Sequence, residues 1–133
     1  IPVCGHLGLL PQSVHKLGGY RVQGREAGVA KSICHDAIAL QEAGADLLVL
    51  ECVPAGLATQ ITEQLAIPVI GIGAGAGTDG QVLVLYDMLG MNDHPPRFVR
   101  DFLVGQEGIQ QALQAYVEAV RDGTFPDREQ SYQ

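Results

Sequence analysis

Basic residues are scarce in this chain. Eight Lys and Arg stand against 15 Asp and Glu in 133 residues, a net charge of −7. A binder of phosphate backbones needs clustered Lys and Arg, and so does a polybasic membrane anchor, so both are excluded as expectations. Long apolar runs are missing too. The longest uncharged apolar-rich stretch, Leu65 to Gly77, is interrupted by Pro68 and four glycines. A spanning helix needs about 20 residues, so no membrane crossing is expected. Cysteine is sparse: Cys4, Cys34 and Cys52 form no CxxC pair, which removes zinc-ribbon and thioredoxin readings. Each lies in an apolar or helical context, and buried, reduced thiols in a cytoplasmic protein are expected. No signal-like segment is expected ahead of Ile1. The chain opens there without Met, directly in a strand-like run, and its numbering is expected to start inside a longer protein.

What is present is a globular composition, 47% apolar and 17% charged, sized for one domain. Ile1–His6 reads as a short strand closed by a Gly/His turn. Gly8–Arg25 is glycine-rich, without an apolar period, and reads as a loop with one helical turn from Pro11. A loop this long usually serves a site. Ala30, Ile33, Ala37 and Leu40 or Gln41 then share one face of a helix over 29–43, which Gly44 stops. Ala45–Glu51 is a strand apolar on both faces, which predicts cover on both sides. Pro54 opens a helix with Leu57, Ile61 and Leu65 on one side. Ile67–Gly73 is a third buried strand and Gln81–Tyr86 a fourth. Short helices are expected around Phe98–Leu103, a longer one over 108–121, and a loose polar tail over 127–133. Strands alternating with helices imply right-handed βαβ units and a parallel sheet. The pattern fits both an open doubly wound sheet and half of an eight-stranded barrel.

Ligands of such folds sit at the carboxyl ends of the strands. Glu51 is the sharpest candidate there. It follows Leu47-Leu48-Val49-Leu50 directly, and a carboxylate ending an apolar strand is costly to desolvate unless paired or used. Apolar walls would raise its pKa and suit it to proton abstraction. The alternative is a Glu that caps the next helix or forms an ion pair at the strand end. His6 lies between Gly5 and Leu7; it would bond a substrate oxygen, hold a neighbouring carboxylate, or simply bond the local backbone. His15, His35 and His94 read as solvent-facing, and no two His have metal-ligand spacing on a helix. Gly71-Ile72-Gly73-Ala74-Gly75-Ala76-Gly77 has GxGxGxG spacing, not the GxGxxG of a dinucleotide loop. It reads as backbone that must approach a ligand or a neighbouring segment closely. Asp79-Gly80 is turn chemistry, and Asp87 lacks an evident second carboxylate to share a metal.

Several runs together resemble one family. They are Pro2-Val3-Cys4-Gly5-His6-Leu7-Gly8-Leu9, Pro11-Gln12-Ser13-Val14, Gly18-Gly19-Tyr20-Arg21-Val22-Gln23-Gly24-Arg25, Leu48-Val49-Leu50-Glu51-Cys52-Val53-Pro54, and Ile67 to Gly75 running into Asp79-Gly80-Gln81. In this order they are similar to the C-terminal half of the ketopantoate hydroxymethyltransferases. The resemblance implies an α/β fold of the (β/α)8 TIM-barrel type, which takes about 250 residues. Residues 1–133 would supply strands five to eight and the C-terminal helices. It implies transfer of a hydroxymethyl group from 5,10-methylenetetrahydrofolate to 3-methyl-2-oxobutanoate, giving 2-dehydropantoate for pantothenate synthesis. Glu51 matches the family's proton-abstracting glutamate. His6 matches a histidine at the same barrel mouth, on the substrate side or supporting. A magnesium ion is implied, with its carboxylate ligands, and the lysine and serine that hold the keto acid, in the N-terminal half; no metal ligand is expected in this chain. The implied partners are the keto acid, the folate, further copies in a homo-oligomer, and the N-terminal half itself. Without that half the chain is expected to be an inactive half-barrel, while a related metal-enolate keto-acid lyase is the other enzyme reading. Leu10, Tyr86 and the ending Glu129-Gln130-Ser131-Tyr132 depart from the family pattern, which puts a contribution from the tail in doubt.

Overall fold

The computed structural model describes residues 1–13, 15, 19 and 21–133. Val14, Gly18 and Tyr20, which belong to the motif runs above, lie outside the described residues. The elements are β1 (Cys4–Gly8), a 3-10 turn (Pro11–Ser13), α1 (Ala27–Glu42), β2 (Leu47–Glu51), α2 (Ala55–Gln64), β3 (Val69–Ile72), β4 (Gly80–Gln81), α3 (Leu85–Met88) and α4 (Ile109–Arg121). The four strands pair in parallel in the order β1-β2-β3-β4. This is the expected parallel α/β sheet.

Local chemistry sets the element ends. Gly44, at φ +95°, ends α1: its N–H bonds Gln41 O at 3.0 Å and that of Ala45 bonds Leu40 O at 3.0 Å. This double closure satisfies carbonyls that the helix would otherwise leave bare. Gly123 ends α4 in the same way, with Thr124 N–H on Ala119 O at 2.9 Å. Past α2, the N–H groups of Ala66 and Ile67 both donate to Oε1 of Gln41, at 2.6 and 3.2 Å. Asp79 pins the start of β3 by accepting from Val69 N–H at 2.8 Å.

The period-two alternation of the strands sorts their side chains. Leu48, Leu50 and Val69 point to one face and are fully buried with Ile33, Ala37, Ala58 and Ile61 of α1 and α2. The other face carries Leu47, Val49 and Ile70, all half-buried. Helices α1 and α2 thus bury one face of β2 fully, while on its other face Val49 is only partly buried against a second cluster. A second cluster, built on Phe98, Phe102, Phe125 and Ala112 of α4, joins the sheet at Ile72 and Val49. Phe102 stands edge-to-face with both Tyr116 and Phe125, at 5.3 and 5.2 Å.

Further expectations are corrected. The first strand runs two residues past His6, which therefore sits inside it. The fourth strand stops at Gln81 rather than Tyr86, because its partner β3 ends at Ile72 and Gly73, at φ +62°, turns the chain away. No ladder remains for Leu83, which turns into the core, while Leu85 begins α3. Phe98–Leu103 forms turns rather than helix. There the N–H of Phe102 bonds Met88 O and that of Leu103 bonds Asp101 Oδ1, both at 2.8 Å, so the amides are spent outside any helix. Cys4 is exposed and Cys34 half-buried; only Cys52 is buried as expected. The tail is packed, with Ser131 buried and Tyr132 half-buried.

Candidate functional site

β1 and β2 are paired with His6 opposite Val49 and Gly8 opposite Glu51. His6 and Glu51 therefore share a face as diagonal neighbours, within reach of one another. Nε2 of His6 donates to Oε2 of Glu51 at 3.0 Å. Gly8 makes this pairing possible: at φ +92°, it sits so close that a Cβ there would run into Glu51 O. The backbone around Glu51 is fixed on both sides. Its carbonyl accepts from Leu9 N–H at 2.8 Å, and the following Cys52 N–H bonds Ile72 O at 2.9 Å. Cys52 has φ +50°, alone among the described non-glycine residues in taking a positive value, and its carbonyl accepts from Gln23 N–H at 2.8 Å. That left-handed residue ends β2 and turns the chain into Pro54 and α2.

The Glu51 side chain is 15% exposed. Burial raises its carboxyl above the ordinary range, and the charge and hydrogen bond of His6 pull it part of the way back. Burial also pushes the Cys52 thiol up to about 12, with the Glu51 charge adding to the effect. Cys52 is thus a neutral packing group beside the carboxylate, not a nucleophile.

Glu51 opens into a cavity of about 540 Å3. Leu9, Ile72, Phe98 and Tyr132 give it apolar walls, and Arg21, Asp87, Asn92 and His94 stand on its lining. His94 is exposed, as expected, yet belongs to this lining. His6 does not; it borders a shallower hollow with Leu7, Asp36 and Leu40. It reaches the site through Glu51. Sequence reasoning missed Arg21, Phe98 and Tyr132. The pattern around Phe98 reads as helix and that around Tyr132 as a loose tail, and no local signal marks either as a wall of the site. The glycine run faces packing partners instead of the cavity: a Cβ on Gly73 would meet Phe98 at 2.7 Å, and one on Gly75 would meet Ala55 at 2.5 Å.

This arrangement is a carboxyl group of raised pKa at the carboxyl end of a parallel strand, bonded by an imidazole and facing an apolar-walled cavity. It suits removal of a proton from carbon. The family model for ketopantoate hydroxymethyltransferase matches residues 1–128. The chain belongs to the ketopantoate hydroxymethyltransferase family. It is 62% identical over 133 residues to the 3-methyl-2-oxobutanoate hydroxymethyltransferase of Halorhodospira halophila, covering 100% of this chain and 48% of that protein. The enzyme of the same name from Idiomarina loihiensis is 61% identical, with 99% of this chain and 50% of the relative covered. That of Nitrosococcus oceani is 62% identical, with the same shares covered. The chain thus spans about half the length of the curated relatives it matches.

Among the described residues, no group of three or more His, Cys, Asp or Glu is placed to hold a metal ion. No helix among them is long and apolar enough to cross a membrane.

Proposed function

We propose that this chain carries the proton-abstracting part of a ketopantoate hydroxymethyltransferase, as the C-terminal half of a (β/α)8 barrel. Glu51, as carboxylate, takes the proton from C3 of 3-methyl-2-oxobutanoate. The C–H electron pair moves into the enolate, whose charge settles on the ketone oxygen. That carbon then bonds the methylene carbon of 5,10-methylenetetrahydrofolate as one of its two C–N bonds breaks, the freed nitrogen taking the electron pair. Water supplies the hydroxyl as the second C–N bond breaks; tetrahydrofolate departs with the C3 proton returned by Glu51 and one proton of the water on its nitrogens, and 2-dehydropantoate results. His6 holds Glu51 in its charged form by donating to it, which keeps the base available near neutral pH. The magnesium ion and the groups that grip the keto acid belong, in this reading, to the N-terminal half. So does the cover for the half-buried sheet face. Homo-oligomers in the cytoplasm complete the reading.

The observation that carries it is the Glu51–His6 pair at 3.0 Å, with Glu51 set in an apolar-walled cavity at the strand end. The test is exchange of the C3 proton of 3-methyl-2-oxobutanoate into deuterium oxide, followed by NMR with magnesium present. Exchange is expected from this chain assembled with the N-terminal half of a curated relative, and from neither half alone. An assembled, folded enzyme that leaves the C3 proton in place overturns the reading.

A further inference from the structure

The C-terminal segment is tied back over the molecule. Asp127 Oδ1 accepts from the N–H groups of Glu129 and Gln130, at 2.8 and 3.1 Å. Nη2 of Arg100 donates to Thr124 O, Asp127 Oδ2 and Gln130 Oε1, at 2.9, 3.1 and 3.1 Å. Arg97 Nε donates to Glu129 O at 2.6 Å. The buried Ser131 donates to Asp127 O at 2.6 Å. The last tie is the most telling: Tyr132 O accepts the N–H of Ala55, the first residue of α2, at 2.9 Å. Ala55 follows Glu51 by one short turn, so the tail is fastened beside the base.

This fastening sets the Tyr132 ring into the wall of the cavity that holds Glu51. The ring stands edge-to-face with Phe98 at 6.4 Å and 74°, and the Arg97 guanidinium lies 6.0 Å from its centroid. Ring and guanidinium together fix an aromatic surface in one orientation. Burial raises the phenol above its usual value, with nearby Cys52 adding and Arg97 and Arg25 opposing. The hydroxyl therefore stays protonated at neutral pH. The cavity, at about 540 Å3, falls in the range of roughly 300–1,000 Å3 that holds ligands of several tens of atoms.

We propose that Tyr132 is a specificity residue of the site: the C-terminal segment presents its ring as the surface on which the larger, flat heteroaromatic co-substrate stacks while Glu51 works on the keto acid. The proposal rests on the hydroxymethyl-transfer reading for the identity of the co-substrate, and the test separates the two.

The enzyme assembled from this chain and a relative's N-terminal half is assayed as wild type, Tyr132→Ala and Tyr132→Phe. Three quantities are read: KM for 5,10-methylenetetrahydrofolate, the C3 proton exchange of the keto acid without folate, and calorimetric binding of tetrahydrofolate. Tyr132→Ala is expected to raise KM for the folate and weaken tetrahydrofolate binding by about tenfold each, the size of one lost aromatic contact. The exchange rate is expected to fall by less than about threefold, since uniform binding of the second ligand is what is lost. Tyr132→Phe keeps the ring and is expected to stay within about twofold on all three. Hydrogen exchange at the Ala55 amide reports whether the tail remains docked in each variant. Unchanged folate KM and tetrahydrofolate binding in Tyr132→Ala overturn the proposal. Equal losses in exchange and folate binding overturn it as well, because they mark a merely structural role. A wild type that binds tetrahydrofolate but exchanges no proton sinks the reading of the reaction. In that case the calorimetry still decides the role of Tyr132.

Discussion

On one face of the sheet Leu48, Leu50 and Val69 lie fully buried under α1 and α2; on the other face of the same strands Leu47, Val49 and Ile70 are half-buried, and Glu51 stands among them. The two faces divide the work. The covered face holds close-packed aliphatic side chains and carries stability. The open face tolerates a carboxylate because it is incompletely covered and because His6 is there to bond it. A Glu in place of Leu48 or Leu50 would have no such partner and would face the full cost of an unpaired buried charge. Stability and chemistry are thus assigned by alternation along a single strand, β2.

The sharpest way to break this contrast is to truncate each face in turn. Leu50→Ala is expected to destabilise this chain by about 3 kcal/mol, from lost transfer energy and the cavity it leaves. Val49→Ala, on the half-buried face, is expected to cost about 1 kcal/mol. Urea unfolding monitored by circular dichroism measures both. Equal losses would show that the faces do not differ in the way described here. Gly73→Ala is expected to cost about 2 kcal/mol, since the new methyl must occupy a positive φ and displace the Phe98 ring. Its readout is the same unfolding curve.

Smaller effects concern the open face alone. His6→Gln removes the group that pulls the Glu51 carboxyl downward, so the lower limb of the pH–rate profile for C3 proton exchange is expected to move to higher pH. A limb that stays in place would show that His6 does not tune Glu51. The smallest effect is on stability. The folded-state pKa of Glu51 is raised, so the folded protein holds its proton more tightly than the unfolded chain. Its contribution is therefore fully favourable below the unfolded value and declines as pH rises through the folded value. Glu51→Gln is expected to remove that decline, so unfolding free energies of variant and wild type should converge toward low pH and separate above it.

The sequence made some of this legible and hid the rest for identifiable reasons. Leu47-Leu48-Val49-Leu50 reads as a strand because four apolar residues in a row have few other uses, and a carboxylate ending that run is conspicuous. Gly44 and Gly123 announce helix ends because only the following glycine relieves the strain of the cap. The end of β4 was hidden because Val82–Leu85 is as strand-like as any run in the chain; what stops it is the turn of β3 at Gly73, a property of its partner. The second face of β2 is buried less fully than its apolar run suggests, because apolar character says what a face tolerates, not how completely it is covered. Tyr132 was hidden most thoroughly. Its neighbours are Asp, Arg, Glu, Gln and Ser, the composition of a loose tail, and its fastening depends on Ala55, Arg97 and Arg100, all far away in sequence.

The central claim is that Glu51 is the base. Its direct test is the rate of C3 proton exchange of 3-methyl-2-oxobutanoate in the assembled enzyme, compared between wild type and Glu51→Gln, with thermal unfolding recorded on the same samples. The account requires exchange to fall by about 1,000-fold, within the range for loss of a positioned general base, while the variant remains folded. A folded Glu51→Gln enzyme that exchanges the proton at the wild-type rate would contradict it and move the base elsewhere in the site.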